Sequence, residues 1–373
     1  MLVSLKWVRD YVDCSPDPGE LAQKLTMAGL EVESVSPVGP DFSGVVVSRI
    51  EAIRRHPGAD KLTLCDVSTG DRIVRVVCGA SNMKEGDLVP LATVGAVIPG
   101  GYIIRHSTIR GESSEGMLCS EEELGIGNDA AGIMILDSTL PLGEDLRKVL
   151  DLEDVVLDIG VTPNRPDCLC MLGIAREIAA LTGGEIRYPD TACVEKGHPI
   201  EDATSVQILS PHLCSRYTAR LIRNVRVQPS PSWLKVRLEA VGLRSLNNIV
   251  DVTNFVMMEL GQPLHAFDHA FLEEGRIVVR GAEDQEEFQS LDEKVRLLNK
   301  DTLMICDGVK PVAIAGIMGG LNSEVREETD TILLESAYFN PVSIRKTAKT
   351  LGMGTDASFR FERGVDPEGV VRA

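Results

Sequence analysis

Two polar stretches hold most of the side chains that could do chemistry. The first reads Arg244-Ser245-Leu246-Asn247-Asn248-Ile249-Val250-Asp251-Val252-Thr253-Asn254 and runs on to Leu260-Gly261-Gln262-Pro263-Leu264-His265-Ala266-Phe267-Asp268. The second has Glu335 at the end of an apolar run, then Thr355-Asp356-Ala357-Ser358-Phe359-Arg360-Phe361-Glu362-Arg363. Taken singly, Asn, Asp, Thr and Arg around a helix are more often caps and surface ion pairs than site residues. Glu335 is different, because a buried carboxylate needs a partner or takes up a proton. An imidazole such as His265 suits proton transfer or ligand orientation. Four or five such groups brought to one place shift the balance toward function. His265-x-x-x-His269 with Asp268 or Glu335 as a hydrolase metal site ranks low, since no further His lies nearby.

The elements that must position these groups are legible in outline. Ile249, Val252, Val256 and Leu260 recur at helical spacing, Gly261 ends that helix, and Pro263 stops it restarting. His265 is thereby expected just beyond a helix end, presented by a loop. Asp307-Gly308 between Leu303 to Cys306 and Val312 to Ala315 predicts a hairpin. Asn340-Pro341 predicts an N-cap and first turn, with Ile344, Ala348 and Leu351 as the buried stripe and Gly352 as the stop. Glu335 is expected to leave a strand. Arg345, Lys346 and Lys349 are divided evenly between a solvated helix face and contact with RNA phosphate.

These blocks resemble the bacterial phenylalanyl-tRNA synthetase beta subunit in its editing domain. The match runs through 247–254, 261–268, Gly316-Ile317-Met318-Gly319-Gly320, Leu334-Glu335-Ser336-Ala337-Tyr338-Phe339 and 358–367 in the same order. The resemblance implies hydrolysis of mischarged tRNA, a function with a clear physical need. An apolar phenylalanine pocket rejects a side chain of the same shape with one added hydroxyl by only about a hundredfold in the comparable case. By resemblance, Glu335 accepts the tyrosine hydroxyl, Thr355 and Ala357 shape the ring pocket, and Gly316 gives it clearance. His265, Arg244, Thr253 and Asn254 would position the acyl ester, the terminal adenosine or the attacking water.

Composition bounds the alternatives. The 373 residues suffice for two or three domains. The net charge of −18 means that any RNA contact must be a local basic patch. Aromatics are 4% of the chain, which disfavours an extended base-stacking platform. The nine cysteines, at 14, 65, 78, 119, 168, 170, 193, 214 and 306, form no Cys-x-x-Cys pair. That pattern disfavours a disulfide framework or structural zinc and fits a reducing, cytoplasmic setting. Lys6, Arg9 and Asp10 interrupt the N-terminal apolar pattern, so no signal peptide is expected, and no apolar run approaches membrane-spanning length.

Short helices are expected over Ser4 to Val12 and Pro18 to Ala28, the second closed by Gly29, and then a strand through Leu30, Val32 and Ser34. From Gly44 to about Gly143 short β runs follow one another closely, which suggests a small barrel or sandwich. Within it His56-Pro57-Gly58-Ala59-Asp60-Lys61-Leu62, Cys78-Gly79-Ala80 and 110–120 resemble the tRNA-binding OB-fold module. The resemblance points to Arg54, Lys61, Asn82, Arg110, Ser114, Met117 and Ser120 as tRNA-binding residues. Turn chemistry is the competing reading for the same positions. Between Asp41 and Lys148 there are 11 basic and 16 acidic residues, 11 − 16 = −5, although Arg49, Arg54, Arg55, Lys61, Arg72 and Arg75 could still form one basic face.

Val155 to Ile159 reads as a strand, and Thr162-Pro163-Asn164-Arg165-Pro166-Asp167-Cys168 leads into a helix ended by Gly183-Gly184. Arg165 and Asp167 are read as structural. The expected fold is multidomain α+β: a small discontinuous α/β domain (1–39 and 151–198), an inserted OB-fold barrel (40–150), and a mixed α+β editing domain (199–373). The family extends well beyond Ala373, so the chain reads as an N-terminal fragment. In the family ATP and Mg2+ serve the complete enzyme of two alpha and two beta subunits, and no ATP-activation motif appears in these residues. Expected partners are tRNA(Phe) and the alpha subunit, with no cofactor or metal bound by the fragment and no membrane. The competing function is a non-catalytic tRNA-binding or subunit-assembly module.

Overall fold

A computed structural model describes residues 1–13, 16–127 and 129–373, so Cys14 lies outside the described residues. The chain divides into two units, residues 1–36 with 155–373, and residues 37–154. The architecture is mixed α and β, with several separate sheets.

The smaller unit is built on antiparallel strands. Along the sheet the order is Gly116–Leu118, Leu88–Ile98, Ser43–Arg55, Thr63–Ser68, Ile73–Cys78. The two ends of that order are also linked, since Glu115 N donates to Arg75 O at 2.8 Å and Val77 N donates to Ser114 Oγ at 3.1 Å. Alternation along Ser43–Arg55 buries Val45, Val47 and Ile50.

The larger unit contains two hydrophobic cores. In the first, the strand Leu2–Ser4 pairs antiparallel with Asp154–Gly160, and Leu21, Leu25 and Leu30 pack with Leu157, Ile159, Ile174 and Ile178. The N-terminal helix is shorter than the sequence suggests, Leu5–Val8, because Leu2 to Ser4 is drawn into that sheet. Arg165 donates to Asp167 at 2.9 Å and to Glu177 at 2.7 Å, tying the 3-10 turn Pro166–Cys168 to the helix Met171–Thr182.

The second core lies among two sheets and the C-terminal helices. The five-stranded sheet has the order Val206–Ile208, Ile277–Gly281, Leu303–Cys306, Pro311–Ile314, Met318–Gly319. The three-stranded sheet places Thr331–Phe339 between Cys214–Arg223 and Leu264–Asp268. The hairpin at Asp307-Gly308 is present, closed by a longer turn in which Asp307 Oδ1 accepts from Val309 N and Lys310 N, each at 2.7 Å. Asn340 caps the helix Pro341–Leu351 through Val342 N and Ser343 N. Arg345, Lys346 and Lys349 are exposed on that helix.

Three further local expectations change. The helix Asn248–Leu260 does not bury the stripe 249/252/256/260: Val252 is 48% exposed, while Asp251, Thr253, Met257 and Met258 are buried. His265 sits on a strand rather than a loop, because 264–268 completes the edge of the three-stranded sheet. Glu335 lies mid-strand, since pairing on both sides continues the strand through Phe339.

Candidate functional site

The three-stranded sheet brings His265 and Glu335 together. Glu335 pairs in register with His265 on one side and with Ala219 on the other, so their side chains share one face. Gly261, in the left-handed region at φ 82°, ends the preceding helix and sets the turn that delivers the His265 strand.

His265, Glu335, Gly316 and Ala357 line one cavity of about 70 Å³, closed by Pro263, Ile305, Ile314, Met318 and Phe361. A water needs roughly 10–15 Å³ of such space, so several fit. Thr355 stands behind this wall. Its hydroxyl donates to Ile317 O at 3.0 Å and accepts from Ser358 N at 3.1 Å, capping the helix Asp356–Phe361 that carries Ala357 and Phe361. Gly316 contributes backbone at φ 66°, and a Cβ there would lie 2.9 Å from the Phe361 ring and 3.0 Å from Phe339. Its missing side chain thus makes room first for packed aromatic rings.

Arg244, Thr253 and Asn254 do not line the cavity. Arg244 is exposed, Asn254 is partly buried, and the Thr253 hydroxyl is spent on Val250 O at 2.7 Å within its own helix. The loop carrying Arg244 is held by buried Asp251, which accepts from Ser230 Oγ and Ser245 Oγ at 2.5 Å each and from Leu246 N at 2.9 Å.

Two residues escaped the sequence reading. Tyr217, on the strand Cys214–Arg223, donates its hydroxyl to Glu335 Oε2 at 2.7 Å. A Cβ at Gly319 would lie 2.5 Å from His265 Cε1, so this glycine sets the space for the imidazole. Tyr217 left no signal, because its partner is far away in the chain, whereas Gly319 was visible within a glycine-rich block.

Burial moves the two titratable groups in opposite directions. Desolvation pushes Glu335 up to about 7, with the Tyr217 hydrogen bond acting the other way. Desolvation pushes His265 down to about 4, so the imidazole is neutral at neutral pH. Such a group accepts protons weakly but donates and accepts hydrogen bonds well.

In the smaller unit the expected RNA-contacting residues separate into two kinds. Arg54, Lys61 and Arg110 are exposed, although Arg54 is paired with Asp66, which also takes Arg75. Asn82 clips the chain at Ile133 through two hydrogen bonds, at 2.8 and 3.1 Å. The Ser114 hydroxyl accepts from Val77 N and donates to Gly116 O, and Ser120 holds Glu123 through both its amide and its hydroxyl. Met117 is partly buried and packs against a hydrophobic core of this unit. His56 joins the loop before Lys61 to the turn at Arg110, since its Nδ1 accepts from Gly58 N at 3.0 Å and its Nε2 lies 3.1 Å from Ile109 O.

Among the described residues, one cluster has metal-ligand spacing, Asp167 with Cys168 and Glu177. The Arg165 guanidinium already binds both carboxylates, which leaves a cation little to gain there. His265 and His269 are not in such a cluster among the described residues. The eight described cysteines are all free thiols, and no helix among the described residues is long and apolar enough to cross a membrane.

Residues 45–145 match the family model of a putative tRNA binding domain, and residues 213–373 match that of the B3/4 domain. The phenylalanine–tRNA ligase beta subunit of Syntrophus aciditrophicus is 66% identical over 373 residues, all of this chain and 46% of that protein. The chain is a homologue of phenylalanine–tRNA ligase beta subunits. The beta subunit of Geobacter sulfurreducens is 54% identical over all of this chain and 47% of its own length. That of Syntrophotalea carbinolica is 53% identical over 98% of this chain and 46% of its own length. The chain thus spans about half the length of the beta subunits it matches.

Proposed function

We propose that this chain forms the tRNA-binding and editing part of a phenylalanine–tRNA ligase beta subunit, and that it hydrolyses tyrosine wrongly attached to tRNA(Phe). The observation that carries this reading is the placement of Glu335. A carboxylate set deep in an apolar cavity, with one oxygen held by Tyr217 and a neutral imidazole beside it, is costly to bury while its other oxygen lacks a donor. A phenolic hydroxyl supplies that donor, and a phenylalanine ring does not.

In this reading Glu335 recognises the hydroxyl, Ala357 and the Gly316 backbone bound the ring, and Thr355 holds that wall through its cap. His265 orients the ester or the attacking water, a role its lowered pKa suits better than that of general base. Arg244, Thr253 and Asn254 lie outside the cavity and would serve the tRNA end rather than the amino acid. Residues 40–150 act as an OB-fold barrel, supported by the links between its outermost strands. The separation of 1–39 with 151–198 from 199–373 is supported by two distinct cores.

ATP and Mg2+ belong to charging by the complete enzyme of two alpha and two beta subunits in the cytoplasm. The donor set at Asp167, Cys168 and Glu177 does not fit Mg2+, given the thiol and the guanidinium already there.

The decisive experiment is deacylation of Tyr-tRNA(Phe) by the full beta subunit assembled with its alpha partner. Glu335→Ala should slow hydrolysis by about ten- to a hundredfold, the loss of one charge-assisted hydrogen bond, while phenylalanine charging stays nearly intact. An unchanged rate would overturn the reading. If tRNA binding persists while the wild type shows no hydrolysis, the chain is a non-catalytic binding module, a role that the exposed Lys61 and Arg110 also fit.

A further inference from the structure

The Glu335 carboxylate reaches the cavity half engaged. Its Oε2 accepts from the Tyr217 hydroxyl at 2.7 Å, while Oε1 meets no donor among the described residues. The strand register explains the contact. Tyr217 pairs with Ala337 and Ala219 pairs with Glu335, so Tyr217 and Glu335 are diagonal neighbours on one face, within reach of a long aromatic side chain. Ala219 is small enough to leave that diagonal open. The Tyr217 ring packs against the core, which fixes where its hydroxyl can stand.

We propose that Tyr217 is a specificity-positioning residue, whose hydroxyl takes one oxygen of Glu335 and sets the other toward the cavity as the acceptor for a ligand's phenol. This rests on the reading of Glu335 as the tyrosine-recognising group. A carboxylate accepts several hydrogen bonds, and a neutral phenol has a single O–H to give. With Oε2 satisfied internally, the remaining demand for a donor falls on Oε1. A tyrosyl ligand meets it, and a phenylalanyl ligand of the same shape leaves it dry and unpaired. The correct product is thereby spared.

The Tyr217 hydroxyl has a second effect, on protonation. A protonated Glu335 would donate as well as accept and would discriminate poorly. Burial favours that form, and donation from Tyr217 opposes it. The titratable groups facing Glu335 are Tyr217 and Cys214 on one neighbouring strand and His265 on the other. His265 is neutral through the relevant range, which leaves Tyr217 as the group that favours the carboxylate.

The test uses Tyr217→Phe in the full beta subunit with its partner, comparing hydrolysis of tyrosyl-tRNA and phenylalanyl-tRNA across pH. The preference for tyrosine should fall about tenfold, and the midpoint of the pH profile should move upward. Unchanged preference with an unchanged midpoint overturns the proposal. A shifted midpoint with preference intact also overturns it, since Tyr217 would then act only on protonation. Should the Phe variant fold poorly, 3-fluorotyrosine in the wild-type chain offers a stronger donor. It should move the midpoint downward, and no movement counts against the proposal. Glu335→Ala serves as the control, because a tyrosine preference that survives it refutes the recognition reading itself.

Discussion

His265 and Glu335 are register partners on neighbouring strands, and burial drives their protonation apart. Between about pH 4.5 and 7 the folded chain keeps the Glu335 proton that the unfolded chain has released, so this group's contribution to stability falls as pH rises. Between about pH 4 and 6.5 the folded chain leaves His265 unprotonated while the unfolded chain protonates it, so that contribution rises with pH. The two slopes oppose each other across their shared window. His265→Gln should expose the Glu335 slope and lose roughly 1–3 kcal/mol between pH 5 and 7, and Glu335→Gln should gain stability as pH rises from 4.5 to 6.5. Urea unfolding at several pH values measures both, and flat profiles for the two variants would contradict the opposed titrations.

Gly319→Ala should displace the imidazole, because its Cβ would stand 2.5 Å from His265 Cε1 and 3.1 Å from Leu291. Overpacking of this kind costs about 1–3 kcal/mol. Hydrolysis should fall for every aminoacyl ester alike. Ala357→Trp should reach the same loss by filling the cavity of about 70 Å³, and because an indole overpacks a space of that size, stability should fall as well. Melting curves alongside deacylation rates check both variants, and full hydrolysis by either would contradict the placement of the site.

Asp251→Ala should be among the more damaging single changes outside the cavity. It strands Ser230, Ser245 and the Leu246 amide around a buried site, at a cost of roughly 2–4 kcal/mol. The loop that carries Arg244 would loosen. Hydrogen exchange at Leu246 should quicken by at least tenfold, and protection equal to wild type would show that the loop is held by other means.

On the tRNA side, Lys61→Ala and Arg110→Ala should each weaken binding and lower the salt slope by about one. His56→Ala frees the loop before Lys61 from the Arg110 turn without touching a Lys or Arg. Affinity should fall severalfold with the salt slope nearly unchanged. Filter binding between low and high salt checks all three.

Local chemistry in the sequence was enough to determine several elements. Asn340-Pro341 could only begin a helix economically, and Gly261 marked the end of the preceding one because a left-handed residue favours glycine. The strand Ile73–Cys78 is an alternating apolar run that lies between Asp71 and Gly79, turn formers visible in the sequence itself. The motif blocks were equally local, so His265, Glu335, Gly316 and Ala357 could be nominated one by one.

What tertiary structure alone decided was pairing and burial. The helix 248–260 carries apolar residues around much of its circumference, so its period could not say which face would be covered. Val252 was left outside, while Asp251 went inside with three donors waiting. His265 became a strand residue because the edge of a distant strand supplied its hydrogen bonds, an interaction without local signature. The contact of Tyr217 with Glu335 spans 118 positions of sequence separation. A side chain's alternation along its own strand shows which face it takes, but register with a remote partner is fixed only when the sheet closes, and that register placed a phenol on one oxygen of the buried carboxylate.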